Sequence, residues 1–156
     1  TSEGHRKLAV AIQQMWKKHL NIDVTLLNQE WKVYLNSVSM KDYQIGRAGW
    51  IGDYVDPNNF LDMFLCNGGN NRTGWCNPVY DELILKHAPE AKTQEERLEI
   101  FTQAEKMLLA DMPVIPIYIY TSNNLVDPSV KNFSGNILNQ PSFSEIYLEP
   151  DNGGQQ

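Results

Sequence analysis

Thr93-Gln94-Glu95-Glu96 restricts the fold more than any other feature of the chain, because it opens a long amphipathic helix whose apolar stripe needs a cover. Threonine followed three residues later by glutamate is a capping box, in which side chains satisfy the free amides of a helix start. Leu98, Phe101, Ala104, Leu108 and Leu109 then share one face, and Pro113 ends the run. Such a stripe is stable only against another element of structure. Asn77-Pro78 supplies a second start signal, a capping residue followed by an N1 proline, for a helix reaching about His87.

Upstream, Leu8, Ile12, Met15 and Trp16 fall at helical spacing and predict a helix from about Gly4 to His19, with Thr1 or Ser2 at its start. Asp23 to Leu27 alternates and is β-branched, which predicts a strand. Trp31 to Met40 reads as a short helix, Tyr43 to Ile51 as the next strand, and Asn58 to Leu65 as another short helix. Val114 to Tyr120 carries the strongest strand signal, with Pro116 marking a sheet edge. A last short strand is expected near Glu145 to Leu148, and residues 151–156 as a disordered tail. Helices and strands alternate without an internal repeat, so one α/β domain is the economical reading.

A chain of 156 residues buries about two-thirds of its unfolded surface on folding, so no metal is needed to hold it together. Its net charge of −6 argues against a nucleic-acid binder, which neutralises phosphates with clustered lysines and arginines. No apolar run approaches the roughly twenty residues that span a bilayer. No leader pattern opens the chain; since it starts at Thr1, a piece of a longer protein is expected. Cys66 and Cys76 bracket a loop rich in glycine and asparagine. A disulfide there would contribute about 2 to 3 kcal/mol by the chain-entropy model, and the alternative is two reduced thiols in a reducing compartment. Asn71-Arg72-Thr73 and Asn132-Phe133-Ser134 match the glycosylation sequon, a pattern that occurs often by chance.

Chemistry concentrates in Arg47 to Pro57, where an apolar run gives way to glycine-punctuated chain. Arg47, Trp50 and Asp53 recur at three-residue spacing at an expected strand end, where α/β proteins hold ligands. A guanidinium can meet a carboxylate, an indole can form a wall, and a carboxylate can meet an amine. The competing reading is an internal Arg47–Asp53 ion pair beside a core tryptophan. Asp56, before Pro57, reads as a turn or capping residue.

Four motifs in order resemble a known family: Thr1-Ser2-Glu3-Gly4-His5, Asn28-Gln29-Glu30-Trp31-Lys32, Arg47-Ala48-Gly49-Trp50 with Gly52-Asp53-Tyr54, and Val114-Ile115-Pro116-Ile117-Tyr118. They resemble the bacterial oligopeptide-binding proteins, the extracytoplasmic receptors of peptide ABC importers. Members are much longer, so the resemblance implies that residues 1–150 are a C-terminal part. That part would be one lobe of a two-lobed, type II periplasmic-binding-protein clamshell, a mixed sheet with flanking helices. It implies short peptides as ligands, importer permease subunits and the other lobe as partners, no cofactor or metal, and a periplasmic or cell-surface lipoprotein location.

The same resemblance assigns roles. Asp53 would pair with the peptide α-amino group, Arg47 and His5 would receive its carboxylate, Trp31 and Trp50 would line side-chain pockets, and Tyr120 would face the cleft. Two positions depart from the family: Val38 stands where relatives place a second arginine, and Ile51 where some carry a cysteine. Peptide chemistry makes these roles coherent, since a receptor for many sequences must hold what all peptides share, two charged ends and an extended backbone. Two other classes stand beside this one. One is a module for a sugar or another small solute; the other is a glycosidase using Asp53 and Asp56, although three residues in one loop is an odd route to the carboxylate separation it requires.

Overall fold

The computed structural model describes residues 2–149 apart from Ile137 and Asn139, so the tail expected at 151–156 lies outside it. Where economy suggests one domain, the chain divides into two compact units, Thr1–Arg47 and Ala48–Gln156.

The first unit is built on α1 (Glu3–Leu20) and α2 (Trp31–Met40). Ser2 caps α1 by accepting the His5 amide on its hydroxyl at 3.3 Å, and Lys17, Lys18 and His19 complement the negative end of the helix dipole. Leu8, Ile12 and Trp16 are half-buried as their spacing predicts, whereas Met15 is exposed. Glu30 caps α2 with a carboxylate that accepts the amides of Lys32 and Val33. Val38 is the buried residue of α2, in keeping with an apolar side chain at that position.

In the second unit α3 (Asn58–Leu61) runs into a 3-10 turn, Asp62–Phe64. After a loop come α4 (Pro78–Glu82), a π-helical turn over Leu83–His87, and α5 (Ala88–Glu90). The long α6 covers Gln94–Asp111. Its face packs as expected at Phe101, Ala104 and Leu108, which join Leu61, Tyr80, Ile84 and Ala88 in the core. Leu98 and Leu109 are about 40% exposed, so the fully buried stripe is narrower than the sequence predicts. Thr93 accepts the Glu96 amide at 3.1 Å, and Glu96 reaches back to the amide of Lys92 at 2.8 Å, one residue before the usual position.

Tyr80 is fully buried and donates its hydroxyl to the Leu61 carbonyl at 2.6 Å, which joins α4 to the end of α3. Burial, with the nearby Asp62, Asp81 and Glu105 carboxylates, pushes its phenol well above the ordinary tyrosine range. Trp75 packs edge-on against Tyr80 at 5.0 Å and donates its indole N–H to Asp111 at 2.9 Å. The Cys66–Cys76 disulfide forms. Inside its loop, the Asn71 side-chain amide donates to the carbonyls of Phe64, Leu65 and Trp75 at 2.8 to 3.2 Å. That nitrogen is the one a glycan would need, so in the folded chain this sequon serves structure.

The predicted sheet is the main correction. Residues 23–27, 43–51 and 114–120 form no ladder; among the described residues the strands are β1 (Val130–Lys131) and β2 (Tyr147–Leu148), paired antiparallel with Val130 opposite Leu148. Strand propensity expresses a fit to a half-buried pleated surface and is not realised without a neighbouring strand. These segments instead expose Leu27, Ile45, Ile51, Ile115, Ile117 and Ile119, the last at 91%. No described helix is long and apolar enough to cross a membrane, and the described residues hold no group of three or more metal-ligating side chains.

Candidate functional site

The six predicted site residues divide between the units. His5, Trp31 and Arg47 lie in the first; Trp50, Asp53 and Tyr120 lie in the second.

Within the first unit, the Arg47 guanidinium (Nη2) lies 2.8 Å from His5 Nε2. An arginine only donates, so the ring nitrogen of His5 is the acceptor in this contact. Trp31 stacks on Tyr34 at 5.3 Å, and the Tyr34 hydroxyl donates to the Arg47 carbonyl at 3.1 Å. The capped start of α2 therefore presents Trp31, 64% exposed, as one flat wall, while its next turn reaches the Arg47 backbone. Tyr34 gives no sequence signal of its own, since a tyrosine inside a short helix ordinarily reads as core.

Within the second unit, Trp50 and Asp53 meet at one atom. Asn59 Oδ1 accepts the Trp50 indole N–H at 2.8 Å and the Asp53 backbone N–H at 3.3 Å. Asn59 is 3% exposed, yet the side chain of Asp53, whose backbone it holds, is open to solvent. Gly52 crosses close to Phe60, where a Cβ would sit 3.2 Å from the ring edge. Tyr120 packs edge-on against Tyr118 at 4.9 Å and is 46% exposed.

Asp56 behaves as the turn residue its sequence context predicts, its carboxylate accepting the Asn58 amide at 2.9 Å. It also has a partner that sequence does not reveal, because Arg97 of α6 forks onto both of its oxygens at 2.7 and 2.8 Å. Arg97 also lies 4.5 Å over the Phe101 ring. The guanidinium holds the Asp56 carboxyl below its ordinary value of 3.8. A glycosidase acid needs a raised value and a free oxygen, so Asp56 is the wrong partner for Asp53 in that chemistry. Asp62 goes the other way, raised first by burial and then by repulsion from Asp53. A cleft of about 340 Å³ lies beside this loop, lined by Asp62, Leu65, Ile84, Arg97 and Phe101 among others, and by none of the six predicted residues.

The Asp56–Arg97 pair gives a pH-dependent expectation. Its side chains are about one-quarter exposed, so Arg97→Met leaves a half-buried carboxylate unpaired and costs about 2 kcal/mol at neutral pH. A depressed carboxyl stabilises the fold fully above its unfolded value and loses that contribution as pH falls through the folded one. The melting-temperature gap between wild type and Arg97→Met should therefore hold above pH 3.8 and shrink below it. A gap unchanged down to pH 2 would show that the gap does not come from the ionised Asp56 carboxylate.

Residues 1–72 match the model of the bacterial extracellular solute-binding proteins, family 5 middle. The oligopeptide-binding protein OppA of Bacillus subtilis is 45% identical over 149 residues, which is 95% of this chain and 26% of that protein. Among solved structures, the Escherichia coli murein tripeptide binding protein MppA superposes with a TM-score of 0.78 at 38% identity, covering 90% of this chain and 27% of that one. Haemophilus influenzae OppA in complex with RPPGFSPFR gives 0.77 at 35% identity, covering 95% and 29%. The last two are periplasmic binding proteins, and the chain shares its fold with part of them. Spanning about a quarter of the length of the relatives it matches, the chain belongs to family 5 of the bacterial extracellular solute-binding proteins.

Proposed function

We propose that residues 1–150 form the C-terminal lobe portion of a longer receptor, the substrate-binding component of an ABC-type oligopeptide importer. The observation that carries this reading is the Asp53 carboxylate, solvent-open on a backbone held to buried Asn59 beside the Trp50 indole. An exposed anion next to an apolar wall suits an α-amino group followed by a side chain. In the receptor Asp53 takes the peptide amine, and Arg47 with His5 takes the carboxylate. Trp50 and Trp31 are pocket walls, and Tyr120 faces the cleft. Binding is of low sequence specificity, because aromatic walls and trapped waters adapt to different side chains.

Segments 23–27, 43–51 and 114–120, which form no ladder here, become strands of a mixed sheet once the rest of the lobe supplies neighbours. Their exposed β-branched and apolar side chains support this, since such side chains fit a pleated, half-buried surface. The other lobe closes over the ligand, and hinge closure is what the permease subunits read. A periplasmic or cell-surface lipoprotein location agrees with the Cys66–Cys76 disulfide, a bond of oxidising compartments. The receptor is a binding protein and not an enzyme, in line with relatives named for binding.

Titration calorimetry on the full-length receptor tests this directly. Mixed di- to pentapeptides should release binding heat, and oligosaccharides none; heat with sugars and not with peptides would overturn the reading.

A further inference from the structure

The binding roles above leave Asn59 without a part, although it is the one polar side chain found buried among the described residues. A buried amide is retained at a cost unless its hydrogen bonds are made, so where its oxygen goes is informative. Oδ1 accepts two donors from different points of the same loop: the Trp50 indole and the Asp53 main chain. A carbonyl oxygen has two lone pairs, and these two contacts use both. The atom thus ties a pocket wall and the backbone of the anchor carboxylate to one point. Residues 50–55 form no helix or ladder, so no regular hydrogen bonding fixes them.

Asn59 is itself held from below. Its own amide donates to the Asp56 carbonyl at 3.1 Å, and the Asp56 side chain is gripped by Arg97 on α6. At the other end of α3, the Leu61 carbonyl accepts from core Tyr80. The support therefore runs from the core helix α6 through Arg97 and Asp56 to Asn59, and from Asn59 to Trp50 and Asp53.

We propose that Asn59 is a positioning residue for amine recognition: its side-chain oxygen sets the spacing between the Trp50 wall and the Asp53 carboxylate, so that a free peptide amino terminus is selected over a blocked one. This rests on the reading of Asp53 as the amine anchor. Only the free amine needs the Asp53 carboxylate at one position; a ligand without it depends on Asn59 far less.

The test uses the full-length receptor with trialanine and N-acetyl-trialanine as probes, by calorimetry, alongside the Trp50 indole N–H resonance and the melting temperature. Asn59→Leu removes the acceptor at similar size, and Asn59→Ser leaves a hydroxyl too short to reach both donors. Each should weaken trialanine about tenfold, leave N-acetyl-trialanine within about threefold, and move the indole resonance upfield as its hydrogen bond is lost. If Asn59→Leu does not fold, Asn59→Ser decides. Equal weakening of both ligands, tracking a drop in melting temperature, would reduce Asn59 to a structural residue and overturn the proposal. So would an unchanged ratio. A wild-type receptor that binds both ligands alike would instead remove the Asp53 reading, and the role of Asn59 with it.

Discussion

Asp53→Ala should weaken binding of a free-amine tripeptide to the full-length receptor by about 30-fold or more, the loss that accompanies truncation of one member of a desolvated charge pair. The physical reason lies in where the carboxylate sits. In this chain it faces solvent, where a lone ion pair contributes little. Covered by the second lobe, the same pair works in a lower dielectric, and its loss strands a peptide ammonium without a counter-charge. The effect should fall on the dissociation rate more than on the association rate, as most changes at a binding interface do. Melting temperature without ligand should change little, because the Asp53 side chain is exposed. A small affinity change with a large stability change would place Asp53 in the fold and not in the site.

Tyr80→Ala is the substitution expected to cost most in stability. Its ring, carried by α4, is fully buried against Trp75 and the core that α6 shares, and emptying that space costs about 3 to 5 kcal/mol. The Leu61 carbonyl also loses its donor. Tyr80→Phe keeps the ring and removes only the hydroxyl, so it should cost about 1 to 2 kcal/mol. The difference between the two variants in urea unfolding separates packing from the hydrogen bond. Because Leu61 ends the helix that carries Asn59, Tyr80→Ala should also loosen the Trp50 and Asp53 loop and weaken peptide binding. Equal costs for the two variants would show that the hydroxyl, not the ring, matters.

Much of the helical frame is legible in the residues, and the reasons are local. Glu30 before Trp31, Asn77 before Pro78 and Thr93 before Glu96 each cap a helix by contacts within a few residues, so the sequence window contains all that is needed. The α2 range matches its expectation at both ends, and α1 differs by one residue at each. The strands fail for the opposite reason. Val114 to Tyr120 has the composition of a strand, but a ladder needs a second backbone, and no local pattern supplies one. Leu98 and Leu109 lie at the margins of the α6 stripe, where period alone does not decide burial.

The site divides in the same way. Arg47, Trp50 and Asp53 stand out because three different chemistries cluster in one glycine-punctuated loop. The resemblance adds His5, which the structure places against Arg47, 42 positions away in sequence. Arg97 and Asn59 stay silent in sequence, since one reads as a helix-surface cation and the other as part of a turn. Their meaning arises only when α6 packs beneath the loop and Arg97 closes on Asp56 across 41 positions.

The most direct measurement is a four-affinity cycle on the full-length receptor: wild type and Asp53→Ala, each with trialanine and N-acetyl-trialanine. If Asp53 holds the peptide amine, acetylation should cost the wild type about tenfold or more and the variant almost nothing, because each change removes the same contact. An acetylation cost equal in both proteins would contradict the account.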